Sequence, residues 1–594
     1  MKYFLAKKRL GAGLLLVGIV FLLYFPSLRN SFVWDDHFVI VQNDFVKSWT
    51  NVPLLFQKKY LTPRASQQFV NVQDVGSGEN SYRPMVTLSY FLNYGFAKLN
   101  PFWYHLTNVS LHAVNVFLVF ILFGMIANNR YVGFFTAVLF AIHPVNAEAV
   151  CAIAAREDLL VCFFYLSAFL LYVLSGMREG RTRLFYYAGS LASFFFALFS
   201  KEMAMTFPFV ILLFDYYSSH KDGFVKRIKA RGAAYLGFFA VLLLYVMIRF
   251  FVLVVKGQGS PGFLGGNIFL HFLSIFQVLA HYLRWIFIPF DIHDVIPEDS
   301  SFVASGFFKP GVMLSVGAIV TLLGSALAYR EKNKKIFFGI MFFFLSIIPA
   351  SNIIPLDNYV AARYLYIPAL GIFFIMAHVG VKVFGPFFSR AGIGVSVIAR
   401  LFAVVVFSIL CFFTSLRIAV WKDNLSFGLD LVRHYPANAR LRCVLGTYYE
   451  EKGLLDKAVH EYVLSLRIRP DYGKAHLCLA NVFHKKGQRL EAKLQYARAI
   501  RSNPKLWQSY YHLGNIFLAE GDYKKAEALY LKAMTLAPKL AVLYNNLGSI
   551  YFRLEDVEKA RAVWLVGLKM NPRNEHLLKN LKSLEMTNPG YPGN

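Results

Sequence analysis

Five prolines, Pro436, Pro470, Pro504, Pro538 and Pro572, stand 34 residues apart in the last part of the chain. Between them small and large residues recur in register. One unit carries Tyr510, Leu513, Gly514, Phe517, Ala526, Tyr530, Ala533 and Pro538, and the next carries Tyr544, Leu547, Gly548, Tyr551, Ala560, Trp564, Gly567 and Pro572. A fixed period of this length makes each unit a helical hairpin that cannot bury its apolar face alone and must stack on its neighbours. The small residues let two helices approach, and the aromatics fill the gap between them. The pattern predicts four repeats over 437–572, a helix-like piece at 421–435 before them, and a polar capping helix at 573–586.

This is the tetratricopeptide (TPR) period, and it makes 421–594 an α-solenoid with a concave face suited to a protein partner. Residues 1–420 are built differently. The chain as a whole is 57% hydrophobic and 17% aromatic, which excludes an ordinary soluble protein. Apolar runs read at about 10–28, 102–126, 131–145, 157–176, 184–200, 203–217, 233–255, 308–328, 336–350, 363–385 and 394–420. The expected fold is therefore all-α: a polytopic membrane helical domain of about eleven spans followed by the TPR solenoid. The first run has a basic start but no small-residue cleavage site, so it reads as an uncleaved first helix rather than a signal peptide. The net charge of +28 comes largely from Lys/Arg clusters between apolar runs, which points to cytoplasmic loops and away from nucleic acid. The five cysteines form no C-x-x-C pair, so neither a zinc site nor a disulfide framework is indicated. Cys443 and Cys478 fall in successive repeats, where a bridge cannot be read from sequence.

The basic segments MKYFLAKKR, MREGRTR (177–183), SSHKDGFVKRIKARG (218–232), REKNKK (330–335) and the Lys382–Arg390 turn share one face only if the apolar segment 267–290 does not cross. We therefore expect 267–290 to lie at the outer surface or to re-enter. The N-terminus is then cytoplasmic and the repeats are extracytoplasmic, in a periplasm or lumen. On this topology the polar motifs collect on the outer side. The first outer loop, 29–101, holds SFVWDDHFVIVQND with Asp35 and Asp36, and ENSYRPMVTLSYFLNY with Arg83. AIHPVNAEAVCAIAAREDLL brings His143, Glu148, Arg156, Glu157 and Asp158; FSKEMAM brings Lys201 and Glu202; NIIPLDNYVAARYLYIP brings Asp357 and Arg363. Charges at a membrane edge are costly unless solvated, paired or functional.

This inventory suits one chemistry. A carboxylate can take the proton of a hydroxyl and activate it, while cations hold a phosphate and the charge that builds on it as it leaves. The apolar body beside the site could hold the tail of a lipid carrier. Asp35 and Asp36 are the catalytic candidates. Asp35 is preferred as base with Asp36 positioning, the reverse stays open, and the bland alternative is a solvated loop. Lys201, Arg363, Arg156 and Arg83 are candidates for the donor phosphate, each with a structural ion pair as the competing reading. His143 is a further candidate, with a backbone-satisfied helix-end histidine as its alternative. Glu148 and Glu202 belong to the polar network. Tyr82, Asn93, Asn108, Asn115 and His112 are expected to pack helices and bond between them. No zinc, nucleotide or dinucleotide motif occurs, so no cofactor is indicated; a divalent metal is not required, and the acids of the first outer loop are where one could be held.

The stretches FVWDDHFVIVQND, YRPMVTLSYFLNY, LNPFWYHLTNVSLHAVNVFLV, LFAIHPVNAEAVCAIAAREDLL, SKEMAMTFPFVILLFDY and AARYLYIPALG, in this order and with a TPR tail, resemble the transmembrane and TPR repeat-containing (TMTC) family and its bacterial relatives. The resemblance implies a GT-C glycosyltransferase fold with an outward-facing site. It also implies a polyprenyl- or dolichyl-phosphate sugar as donor and transfer of mannose, or a similar hexose, to protein hydroxyls. In such enzymes an acidic pair in the first outer loop supplies the base, and Asp35–Asp36 occupy that place. The TPR array, at four repeats, is shorter than is usual in the family. The alternatives are a non-catalytic membrane-anchored TPR scaffold for surface polysaccharide or secretion assembly, or a lipid-linked glycan polymerase or transporter. Eleven spans with polar loops exceed what an anchor needs, and acids gathered at one face fit surface chemistry better than transport.

Overall fold

The structure is a computed structural model that describes residues 7–56, 82–219, 223–249, 262–293, 295, 300–356, 358–389 and 393–587. Part of the first outer loop and Asp357 lie outside the described residues. Among those described, the regular structure is helical and no strand forms. The chain divides into two compact units, Met1–Phe427 and Gly428–Asn594.

The first unit contains α1 (Lys7–Tyr24), α2 (Pro84–Ala97), α3 (Pro101–Ile126), α4 (Arg130–Ile142), the one-turn α5 (Ala147–Cys151), α6 (Arg156–Ser175), α7 (Gly180–Leu198), α8 (Phe207–Ser218), α9 (Gly223–Met247), α10 (Ile268–Phe287), α11 (Pro310–Lys332), α12 (Lys334–Ile347), α13 (Ala369–Ser389) and α14 (Ile393–Val420). Local chemistry sets several of the starts. Asn100 and Asn129 cap α3 and α4 through their side chains, and Pro101, Pro208 and Pro310 stand in first turns, where a missing N–H costs nothing. Each of the eleven expected runs overlaps a helix among the described residues. Six, at Leu10–Arg29, Pro101–Ile126, Ile153–Ser175, Gly223–Met247, Pro310–Lys332 and Arg400–Val420, are singly long and apolar enough to cross a membrane. The pair Arg130–Ile142 and Pro144–Cys151, bent by 56°, makes a seventh if taken as one span. By contrast α8 and α12, with 12 and 14 residues, reach only about 18 and 21 Å, short of a hydrocarbon core of about 30 Å.

The apolar outer wall explains the composition. The apolar windows of α9 and α11 are each only 17% buried, and that of the last long helix 22%. A wall of that kind needs lipid against it, because water would not tolerate so large an apolar patch. Inside, small residues let helices close up. A Cβ on Gly133 would lie 2.6 Å from the Cα of Gly124, and one on Gly371 would lie 2.3 Å from the carbonyl oxygen of Gly339, so α3–α4 and α12–α13 pack backbone to backbone.

After α15 (Asn424–His434), the second unit is four hairpins and a cap: α16 (Ala439–Glu451) with α17 (Leu455–Ile468), α18 (Gly473–Lys485) with α19 (Arg489–Ser502), α20 (Trp507–Ala519) with α21 (Tyr523–Leu536), α22 (Ala541–Arg553) with α23 (Val557–Met570), and α24 (Glu575–Thr587). The register seen in the sequence is the packing. A Cβ on Gly446, Gly514 or Gly548 would meet the ring of Tyr462, Tyr530 or Trp564 at 2.5, 3.0 or 2.2 Å. Each hairpin turns through a left-handed residue: Gly453, Gly487 and Gly521 at φ 74°, 76° and 81°, and Glu555 at φ 62° in the fourth.

Candidate active site

The segment after α1 is pinned at both ends before it presents its acids. Ser31 N–H donates to the Lys422 carbonyl at 3.0 Å, and Trp34 N–H donates to Asn424 Oδ1 at 2.9 Å. Trp34 itself sits at φ 52°, a conformation that costs a non-glycine residue of order 1 kcal/mol and persists only where surrounding contacts enforce it. Asp36 follows, 1% exposed. Its Oδ2 accepts from Val33 N–H at 3.0 Å and its Oδ1 from Ala154 N–H at 2.7 Å. Asp36 is thus a clip between the first loop and the link that leads into α6. Burial pushes its carboxyl up to about 7; the two backbone donors pull the other way, and neighbouring Asp35 adds to the rise. Asp35 is only partly buried.

Three residues past the clip the charges begin. Lys201 Nζ lies 2.6 Å from Asp158 and 3.0 Å from Glu157. Glu157 pairs with Arg83, Arg83 reaches Glu202 at 3.1 Å, and Glu202 reaches Arg249 at 2.6 Å. On the other side, Lys201 and Arg363 stand over the same Tyr364 ring, at 5.2 and 5.4 Å from its centre, and Arg363 pairs with Glu148. The result is one connected chain of four acids and four bases: Glu148, Arg363, Lys201, Asp158, Glu157, Arg83, Glu202, Arg249. Each element supplies its member at an end: α5, the turn before α13, the α7–α8 hairpin, the first turn of α6, the N-cap of α2 and the end of α9. Glu157 and Asp158 also meet the positive end of α6. Burial works against the charge of Arg83, but Glu157 and then Glu202 outweigh it and hold the guanidinium protonated. Burial likewise opposes the charge of Lys201, and Asp158 and Glu157 raise its pKa all the same. Glu202 is held low against burial by Arg83 and Arg249.

The candidates separate by exposure. The side chains of Arg83, Arg363 and Glu202 keep 20%, 24% and 26% of their surface, and Nε of Arg83, though buried, has no hydrogen-bond partner among the described residues. Lys201 lies beneath them at 4% exposed and Glu148 at 2%. Arg156 and His143 are not brought to an open surface. Arg156 is 0% exposed and donates to Asn108 at 2.8 Å, Asn93 at 2.5 Å, Ser89 Oγ at 3.2 Å and the Tyr104 carbonyl at 3.0 Å, against the rings of Tyr90 and Tyr104. His143 accepts at Nδ1 from Val145 N–H at 3.2 Å and bonds the Ile286 carbonyl through Nε2 at 3.0 Å. Asn108 also holds the Val150 and Ala152 carbonyls, Asn115 the Leu159 carbonyl, and His112 the Tyr366 hydroxyl. These polar groups fix the link beneath the charged chain.

Arg249 and Tyr364 complete that chain without having been singled out for it from sequence. Arg249 reads as an isolated charge in an apolar run, and its place near the run's end is the signal that it can reach a polar edge. Tyr364 sits beside Arg363 in ARYLYIP, and nothing local marks it as the shared platform of two cations.

A bundle walled by lipid-facing helices, carrying a buried charge chain and followed by a repeat solenoid, defines an integral membrane protein with a TPR tail. Models described as TPR repeat and tetratricopeptide repeat match residues 514–555 and 541–574. Homologues over most of the chain are TMTC proteins. Protein O-mannosyl-transferase TMTC1 of Homo sapiens is 24% identical over 515 residues, which cover 78% of this chain and 56% of that protein. Protein O-mannosyl-transferase F38B6.6 of Caenorhabditis elegans is 25% identical, over 77% of this chain and 63% of that protein. Protein O-mannosyl-transferase Tmtc1 of Drosophila melanogaster is 36% identical over 155 residues, 26% of this chain and 17% of that protein. The chain thus spans a little over half the length of the first two relatives. The crystal structure of MamA is 20% identical over 27% of this chain and 89% of that one, with a TM-score of 0.24.

Proposed function

We propose that this chain is a GT-C-type membrane glycosyltransferase that moves mannose, or a similar hexose, from a polyprenyl- or dolichyl-phosphate donor to a hydroxyl of a protein acceptor. The observation that carries the reading is the Asp36–Ala154 clip, which ties a partly exposed Asp35 to the link that ends in the charged chain. The names of the homologues support the sugar and the protein acceptor. The site works at the extracytoplasmic face, and the TPR tail binds the acceptor or a partner protein.

The step is a single displacement with inversion. Asp35 accepts the proton of the acceptor hydroxyl as its oxygen forms a bond to the anomeric carbon. The bond from that carbon to the phosphate oxygen breaks, and polyprenyl phosphate leaves with the electron pair. Arg363 and Arg83 are the cations a phosphate can reach, with Lys201 behind them, and they hold the charge that develops on the leaving group. Asp36, Arg156 and His143 position the loop and the link. The acids paired with these cations balance their charge, so the donor phosphate competes with those acids for the cations.

The test is transfer from a panel of radiolabelled polyprenyl-phosphate sugars in membranes holding wild type or Asp35→Asn at equal abundance. Removing the base is expected to reduce transfer by about 100-fold or more. Equal transfer by both, or no transfer from any donor, overturns the reading and favours a scaffold role.

A further inference from the structure

The acid pair of the first loop is flanked by one side chain from the far end of the first unit. There α14 closes at Val420 and α15 opens at Asn424. The Asn424 amide is oriented by its partner. The N–H of Trp34 can only donate, so it takes Oδ1, at 2.9 Å, and Nδ2 is turned to His37, 3.2 Å from Nε2. Trp34 and His37 stand immediately before and after Asp35–Asp36. One amide therefore grips both flanks of the acid pair, from 390 positions away in the chain. The turn around it adds to the hold: Ser31 donates to the Lys422 carbonyl from N–H at 3.0 Å and from Oγ at 3.3 Å. The Trp34 ring lies 5.4 Å from that of Phe427, which lies 4.7 Å from that of Trp421. Phe427 and Trp421 are buried, whereas Asn424 is only partly so. We propose that Asn424 is a positioning residue, gripping the first loop on both sides of Asp35 and Asp36 and so directing the Asp35 carboxylate.

The backbone explains why such a grip is needed. Trp34 is held at φ 52°, and a bulky residue stays in the left-handed region only where contacts enforce it. The Asp36 carboxyl ties Val33 N–H and Ala154 N–H, but neither bond holds the Trp34 N–H or the His37 ring; Asn424 meets both. Beyond Trp34 the main chain is already committed. The Asp35 carbonyl accepts from Phe38 N–H at 3.0 Å and Val39 N–H at 3.1 Å, inside the turn that follows. Rotation at Trp34 is thus the freedom that redirects Asp35 against its surroundings, and the Asn424 bond to the Trp34 N–H is what blocks it. A base works only within hydrogen-bond reach of the proton it takes, so a loop free to rotate there loses the reaction while keeping its acids. Asn424 acts through the main chain of Trp34, which makes it a positioning group. This inference rests on the reading of Asp35 as the base of the transfer.

Two measurements test it, one of them independent of sugar transfer. The whole chain in detergent is labelled with a water-soluble carbodiimide and an amine, and the modified carboxyls are mapped by peptides. Asp44, in the same loop with 90% of its side-chain surface exposed, is the internal standard. Asn424→Ala is expected to raise labelling of Asp35 relative to Asp44 severalfold. Asn424→Asp keeps an oxygen for the Trp34 N–H and is expected to stay close to wild type. In the transfer assay Asn424→Ala is expected to lower the rate by about 10- to 100-fold, and to lower it no further in a chain that already carries Asp35→Asn. A variant that merely folds poorly would lose the same factor in both backgrounds. Equal Asp35 labelling in wild type and Asn424→Ala, or equal fold-losses in the two backgrounds, overturns the proposal. Wild type that transfers no sugar sinks the glycosyltransferase reading instead, and the labelling then decides whether Asn424 directs Asp35.

Discussion

Charged groups are paired in both units, but over different distances along the chain. In the repeats Lys525 meets Asp522 and Lys559 meets Asp556 three positions away, and Lys485 reaches Glu450 across 35. In the first unit Arg83 reaches Glu157 across 74 positions and Glu202 across 119, and Arg363 reaches Glu148 across 215. A solenoid is a sum of repeats and neighbour contacts, so damage stays local. The charge chain closes only when several helices are already in place, so its members stand or fall together.

Three changes probe that contrast. The largest effect is expected from Lys201→Ala, which leaves Glu157 and Asp158 without their buried partner. Breaking a buried pair from one side costs about 3–5 kcal/mol, and the loss should show as a lowered melting temperature of the first unit in detergent with the repeats unaffected. A melt in which both units shift equally would show that the units do not respond separately. A smaller effect is expected from pH. Asp36 holds its proton to about 7, against an ordinary value of 3.8, so the folded state is the better proton binder between those values. The stability it contributes is complete below the ordinary carboxylate range and is lost as pH rises through about 7. Asp36→Asn should flatten the fall in melting temperature between about pH 4 and about pH 7, and an unchanged slope would assign the fall to another group. The smallest effect is expected from Glu555→Gly, which gives the fourth turn the residue of the other three. Relief of one left-handed non-glycine residue should stabilise the last hairpin by about 1 kcal/mol. No gain in the unfolding midpoint would mean that Glu555 makes compensating contacts.

The repeats were legible because each of their constraints is local or periodic: Gly514 opposite Tyr530 and Gly548 opposite Trp564 can be read from spacing alone. The helices of the first unit were legible for a similar reason, since a run of apolar residues reports its own burial in lipid. The acids and bases of the site were also visible as residue types at run ends. Their partners were not. Arg156 looked like a phosphate ligand and proved to be spent on Asn93, Asn108, Ser89 and Tyr104, four groups from two other helices. Arg249 looked like a stray charge and proved to be one end of the chain.

Sequence by itself therefore determined the helical class, the repeat period, the apolar wall and the set of ionisable groups. Tertiary structure decided which acid faces which base, and that Asp36 is buried while Asp35 is only partly so. The reason is physical: helix periodicity and hydrophobicity are carried by neighbours in the chain, whereas an ion pair or a hydrogen bond acts over a few ångströms in space and is blind to the number of residues between its ends.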